Sequence, residues 1–574
     1  MYLRSLELEN FGGLRQARLD FDATTVLVGE NDCGRTSLLS ALAVALAGPP
    51  GSAPRLEAHH FHRPAGGAAP AAGPIRIALT FEEGAAGEWR QPLFSAIAAL
   101  LPPPGPGHQR LVLEIRAEPP AEDAAVTAHW VLRAPGGGAT GTPDSIEQLE
   151  ACRRACPLLW LRSGWLLAGG QSVAEVEDAD QPPTETLSAD LVQLVAEVEQ
   201  RYAAMLSGTS PNELEELKAG YAAARELLQL REAETQRAGS LSHAPIADVL
   251  GPRARSARRG AVAAHGSAAQ QLGALIVTAA VIRRGLGRAA DGLRPLLVVE
   301  DPEAHLHPMT LASVWGLLEH AGPQMIIGTQ SQTLLAAAPL ASLRRLVRHD
   351  GCLQQWRVHP DALTPQELRK LSYHVRSRRG AAMFARCWLL VEGESEFWML
   401  PELARASGYD FNIEGVACIE FAQCGLAPLV KVARELGIEW HVLSDGDETG
   451  LVYAEDARKL AGGEDPARRI TRLRERDLEN CLWRHGYAGV YLKAAGEQPS
   501  GSHRIAAGRV IRRAFRRHSK PYLAFEALAA VAAPGSPGVP APLARLIETC
   551  VQLAREAPAR GAQAAANCSS ARRA

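Results

Sequence analysis

Four things are missing from this chain of 574 residues. No apolar run approaches the roughly 20 residues needed to cross a bilayer, so no membrane-spanning helix and no membrane partner are expected. There is no excess of positive charge: 61 Lys and Arg stand against 63 Asp and Glu, a formal net charge of −2. Bulk attraction to a polyanion is thereby excluded, and any nucleic-acid surface must be local, made by clustered arginines. The ten cysteines form no disulfide framework, and the N-terminus lacks a basic-then-apolar signal pattern. Both absences lead us to expect a cytoplasmic protein. Cys152 and Cys156 lie close together but lack a second ligand pair, so no zinc is expected there. The length suits two or three domains, each with its own core.

What is present is α/β patterning in two blocks. Residues 1–48 read strand, turn, strand, loop, helix, with Leu3, Leu6 and Leu8 leading into Phe11-Gly12-Gly13. Thr25–Val28 forms a short buried strand, and a helix opens at Ser37. Ile75–Phe81 and Leu111–Ile115 alternate like sheet strands between loops rich in Gly, Pro and Ala. From about 185 to 238 the spacing turns helical, as in Leu187, Leu191, Leu194, Val198 and Tyr202. This hairpin is either an extra core helix pair or a dimerisation arm. Arg253, Arg255, Arg258 and Arg259 mark a basic loop, solvated or touching phosphate. Leu296–Val299 and Gln324–Gly328 read as buried strands. A second α/β block begins near Cys387, and about 555–574 reads as a disordered tail.

Chemistry concentrates at two places. In the first, Gly29-x-x-x-x-Gly34-Arg35-Thr36 follows a strand and opens a helix. Such a loop points backbone N–H groups at an anion, so ATP is the expected ligand, bound by Gly29, Asn31, Gly34, Arg35, Thr36 and Ser37. Thr36 is placed for Mg²⁺, while Arg35 stands where lysine is usual. Glu300 and Asp301 end a buried strand; Glu300 takes the Mg²⁺ side and Asp301 is the catalytic group that polarises water. His305 and His307, like His59, His60 and His62, are expected to shape loops rather than bind metal.

Asn10-Phe11-Gly12-Gly13, the P-loop, Gly266–Gln271 and Glu300-Asp301-Pro302-Glu303-Ala304-His305-Leu306-His307-Pro308 resemble the RecF/SMC-like branch of ABC ATPases. That resemblance implies a homodimer of ATPase heads, in which Ser267 is part of the signature segment contacting ATP in trans. It also places Gln330 where a switch histidine is usual. With Arg35 and the swapped Glu300-Asp301 order, this argues for slow hydrolysis.

In the second place, Glu392 follows a strand and Glu396 lies one helical turn on, while Asp445 and Asp447 follow another strand. Adjacent parallel strand ends converge, so these carboxylates can share a site. An all-oxygen cluster suits Mg²⁺ or Mn²⁺ and phosphodiester cleavage by two metals. The block resembles the Toprim domain of topoisomerases, primases and nucleases. The resemblance makes Glu392, Asp445 and Asp447 catalytic metal ligands, with Glu396 and Glu479 as further ligands and Lys520 stabilising the transition state. Nearby Arg512, Arg513, Arg516 and Arg517 are either a solvated face or a DNA contact.

The order of the two blocks resembles the OLD (overcoming lysogenization defect) family of ATP-dependent endonucleases. The expected organisation is an ABC-type ATPase domain at 1–350 with a helical insertion, a connector at 351–384 and a Rossmann-like Toprim domain at 385–530. A C-terminal helix and tail at 531–574 follow. The family implies DNA as substrate and a role in phage defence or DNA repair; a helicase partner stays open. The competing reading is an ATP-gated DNA-binding scaffold without nuclease activity.

Overall fold

The computed structural model describes residues 1–48, 51–63, 73–101, 107–120, 125–135, 140–162, 294–304, 306, 311, 315–316, 324–371, 380–497 and 507–571. The expected helical hairpin at 185–238, the arginine loop, Ser267, His305 and His307 lie outside these residues. The chain divides into two units, Met1–Gln355 and Trp356–Ala574.

Among the described residues, the first unit is built on one sheet of eleven strands. They are β1 (Tyr2–Phe11), β2 (Leu14–Asp20), β3 (Thr24–Gly29), β4 (Ile75–Glu82), β5 (Arg110–Ala117), β6 (Ala128–Arg133), β7 (Leu158–Arg162), β8 (Leu296–Glu300), β9 (Gln324–Gly328), β10 (Leu343–His349) and β11 (Cys352–Trp356). Their order across the sheet is β6-β5-β4-β1-β2-β11-β10-β3-β9-β8-β7. The first part, β6-β5-β4-β1-β2, is antiparallel, and its strands alternate: Ile75, Ile77, Leu79 and Phe81 of β4 are all fully buried. The segment β10-β3-β9-β8-β7 is parallel. There, β8 and β9 are buried at every position, the continuous apolar reading of a sheet covered on both faces. Parallel pairing brings the carboxyl ends of β3, β9 and β8 to one edge, where ligands of such sheets bind. The stretch expected as a connector begins with β11, which pairs with β2.

The second unit holds a parallel sheet of four described strands, β12 (Cys387–Val391), β13 (Val416–Glu420), β14 (Glu439–Ser444) and β15 (Ile470–Arg472), ordered β13-β12-β14-β15. Helices α2 (Glu394–Ala406), α3 (Leu426–Glu435) and α4 (Glu448–Ala461) follow its first three strands in chain order, and α1 (Arg35–Leu46) belongs to the first unit. Beyond β15 come α5 (Leu478–Leu482), α6 (Ala507–Arg517), α7 (Lys520–Ala532) and α8 (Ala541–Ala571). The disordered tail expected from about 555 is not found: α8 runs through to Ala571. Leu543, Leu546, Ile547, Cys550, Val551 and Ala554 recur at three- and four-residue spacing and are buried in the core of the second unit. That packed face ties α8 to the core as far as Ala554.

Candidate active sites

The loop from Gly29 to Gly34 is shaped by local sterics. Gly34, before α1, sits at φ 97°, and a Cβ there would lie 2.6 Å from Leu14 Cδ2. Only glycine meets both demands. The Asn10–Gly13 turn rests on the helix start: the Gly13 amide donates to Ser37 Oγ at 3.1 Å, and Arg348 Nη1 donates to the Gly13 carbonyl at 3.3 Å. His60 and His62 support the same turn, the Gly12 amide donating to the His60 carbonyl at 2.6 Å and His62 Nδ1 lying 3.0 Å from the Gly12 carbonyl.

Thr36 Oγ1 donates to Glu300 Oε1 at 3.1 Å, so the two residues expected to hold Mg²⁺ meet across the sheet edge. Arg35 Nη1 lies 3.9 Å from Asp301 Oδ1; that nitrogen is buried without a hydrogen-bond partner. Asp301 adopts φ 47°. Burial pushes its carboxyl above the ordinary range, Glu303 and Glu300 add to this, and Arg35 opposes it. Gln330 leaves β9, the strand between the P-loop strand and β8, and its Nε2 donates to Asn31 Oδ1 at 2.7 Å. Glu303 was not singled out by sequence reasoning. It accepts from Thr329 Oγ1 at 2.7 Å and from the Gln330 amide at 2.6 Å, tying the Asp-Pro-Glu turn to the Gln330 segment. A short polar Glu after Pro302 was its visible signal.

At the second site, β12 and β14 are neighbours in register, Leu390 opposite Val442. Glu392 therefore emerges beside Asp445. Glu396 follows on α2 and is 7% exposed. Asp447 caps α4, its carboxylate accepting from the Gly450 amide at 2.8 Å. The Gly446 amide donates to the carbonyls of Glu475 and Arg476 at 3.0 and 3.2 Å. This fastens the Asp-Gly-Asp loop to the segment carrying Asp477 and Glu479.

The carboxylates act on one another. Burial pushes Asp445 up to about 8, with Glu396, Glu392, Asp477 and Glu479 adding to the shift. Glu479, 7% exposed, is pushed up to about 7 by burial, opposed by the Lys520 ammonium. Glu392 is raised by burial and by Asp447 and Glu396, again against Lys520. Lys520 begins α7 and its ammonium stands 5.5 Å above the Phe515 ring. Asp477 is the acidic member that sequence reasoning passed over; its carboxylate caps α5, accepting from the Asn480 amide at 2.8 Å.

Glu392 Oε2 is buried and lacks a hydrogen-bond partner. A buried carboxylate oxygen with the acidic neighbours Asp447 and Glu396 has the donor chemistry that suits a divalent cation. As arranged, no three Asp, Glu, His or Cys side chains among the described residues close into a cage around an ion. Cys152 and Cys156 are both fully buried.

The family described as "Protein of unknown function (DUF2813)" matches residues 1–382. The chain belongs to that family. A second match, "Overcoming lysogenization defect protein-like, TOPRIM domain", covers residues 383–447, and so includes Glu392, Glu396, Asp445 and Asp447 but neither Glu479 nor Lys520. The chain is 32% identical over 539 residues to the "Uncharacterized protein YbjD" of Escherichia coli (strain K12), covering 92% of this chain and 94% of that one. Among solved structures it is similar to the SMC head domain from Thermotoga maritima, with a TM-score of 0.31 and 12% identity over 62% of this chain and all of that one. It is also similar to the C-terminal region of the Burkholderia pseudomallei OLD protein, with a TM-score of 0.24 and 20% identity over 30% of this chain and 99% of that one. The chain thus carries its DUF2813 region at 1–382, followed at 383–447 by a segment that matches an OLD-like TOPRIM domain. Among the described residues no helix is long and apolar enough to cross a membrane.

Proposed function

We propose that this protein is an ATP-binding, Mg²⁺- or Mn²⁺-dependent DNA endonuclease whose nucleotide site acts as a slow switch. The observation that carries the reading is the buried, unpartnered Glu392 oxygen beside Asp445, a carboxyl that burial, and then its acidic neighbours, push up to about 8. Glu392, Asp445 and Asp447, with Glu396 and Glu479, would hold divalent cations. Bound there, the cations supply an activated water and a counter-charge for the departing oxygen. Lys520 places a fixed positive charge where the attacked phosphate becomes more negative.

In the first unit, Arg35 would take the phosphate-facing role of the usual lysine, Thr36 and Glu300 would hold the Mg²⁺ that accompanies ATP, and Asp301 would orient water. Arg35 already faces Asp301, and Gln330 cannot exchange a proton near neutrality as a histidine can. Both features support slow turnover. We further infer a homodimer of heads, with Ser267 of the partner subunit closing over the nucleotide, a cytoplasmic location and a role in phage defence or DNA repair. The Arg35–Asp301 contact also favours the second reading, an ATP-gated DNA-binding scaffold. Incubating supercoiled plasmid with the full chain in Mg²⁺ or Mn²⁺, against EDTA, separates the two. Cation-dependent nicking supports the nuclease; its absence under every nucleotide condition sinks it.

A further inference from the structure

The second unit carries a cationic and aromatic surface that the cleavage chemistry does not use. On α6, Arg509, Arg512 and Arg516 recur at i, i+3 and i+7 and are exposed, while Val510, Ile511 and Ala514 bury the opposite face. Three cations on one stripe span about 10 Å of helix. Two neighbouring arginines are already engaged: Arg513 pairs with Glu497 at 3.1 Å, and Arg517 Nη1 donates to the Ala495 carbonyl at 2.7 Å. No ion pair or hydrogen bond among the described residues engages Arg509, Arg512 or Arg516.

Where α6 ends, aromatic rings begin. The His518 ring stacks on Tyr522 with centroids 4.7 Å apart and planes 19° apart. Tyr522 is 45% exposed and Phe525, one turn on along α7, is 63% exposed. Lys520 lies between His518 and Tyr522 in sequence, its ammonium above Phe515 of α6. α6 therefore leads from the arginine stripe to Lys520, the cation that acts on Glu479 and Glu392, and the exposed rings follow that lysine on α7.

We propose that the α6–α7 surface is a track for single-stranded DNA, with Arg509, Arg512 and Arg516 holding successive phosphates and Tyr522 and Phe525 stacking on unpaired bases. The proposal rests on the nuclease reading for its substrate and adds the form in which that substrate is held. Unpaired guanidinium groups on one stripe complement a phosphate backbone. Exposed rings gain little from a duplex, whose bases are already stacked, but bind the faces of splayed bases. A basic face without rings would fit any polyanion; the pairing of the two selects a single strand.

The test is fluorescence anisotropy of a labelled single-stranded DNA oligonucleotide and of the matching duplex, with the full chain in EDTA so that cleavage is silent. Expected for Arg509→Gln/Arg512→Gln/Arg516→Gln is at least tenfold weaker single-strand binding and a salt slope smaller by about 2, from three lost contacts at about 0.7 each. The corresponding triple Lys variant should recover most of the affinity. Tyr522→Ala/Phe525→Ala should weaken single-strand binding and leave the duplex unaffected, with unchanged thermal melting showing that the fold persists. Single-strand affinity unchanged in the Gln variant, or equal losses for both DNA forms in the aromatic variant, overturns the track. If binding behaves as expected while the wild type cleaves nothing in Mg²⁺ or Mn²⁺, the nuclease reading falls and the track stands.

Discussion

The Gly446 amide donates to the Glu475 carbonyl at 3.0 Å, and a Cβ on Gly446 would lie only 2.2 Å from that same oxygen. Two acidic loops thus meet backbone to backbone, and any side chain at 446 forces them apart. Gly446→Ala should lower divalent-cation-dependent cleavage at least tenfold and destabilise the unit by about 1–3 kcal/mol. Plasmid nicking and thermal melting read the two effects. Wild-type nicking in this variant would show that the approach of the loops does not matter.

Asp445 and Glu479 make the metal-free protein sensitive to pH. Their ordinary values are 3.8 and 4.5, and in the folded chain they rise to about 8 and about 7. The folded chain therefore keeps protons that the unfolded chain has released. The stability tied to these protons is complete below about pH 4 and is lost as pH rises to about 8. A bound divalent cation needs the ionised carboxylates and displaces the protons. Adding Mn²⁺ should accordingly raise Tm more at pH 8.5 than at pH 6. Asp445→Asn should raise the metal-free Tm at pH 8.5 and abolish most of the Mn²⁺ effect. An equal Mn²⁺ shift at both pH values contradicts this.

Thr36 and Glu300 meet at 3.1 Å through one hydroxyl, so removing it costs the chain about 1.5 kcal/mol, the low end for a bond to a carboxylate. The larger loss comes with Mg-ATP. Thr36→Ala should retain nearly the wild-type melting temperature and lose most of the shift that Mg-ATP produces, as scanning fluorimetry would record.

Arg35 faces Asp301 at 3.9 Å, which holds the P-loop cation towards the carboxylate rather than leaving it free. Arg35→Ala should weaken Mg-ATP binding at least tenfold by calorimetry. Arg35→Lys should keep binding and speed phosphate release, because the shorter contact with Asp301 is lost. Binding unaltered in the Ala variant removes the role given to this side chain.

Motifs whose chemistry depends on neighbours in sequence were legible early. The loop from Gly29 to Ser37, the Glu300-Asp301 pair and the strands before Glu392 and Asp445 all stand in the expected local structure, because buried parallel strands write themselves as apolar runs. What was not legible depended on contacts between distant segments. Glu303 and Asp477 look like ordinary turn and cap residues until the fold sets them beside Gln330 and Asp445. The segment from about 555 reads as low-complexity, yet it continues α8, whose preceding turns pack on the core of the second unit through Leu543, Leu546, Ile547 and Cys550. The nine-residue P-loop motif tells nothing of the Gly13–Ser37 contact that seats it.

The most direct measurement compares nicking of supercoiled plasmid by the wild type, Asp445→Asn and Thr36→Ala, in Mn²⁺ with and without ATP. The account predicts that Asp445→Asn abolishes nicking in all conditions, while Thr36→Ala still nicks and loses its response to ATP. Nicking by Asp445→Asn at the wild-type rate would contradict it.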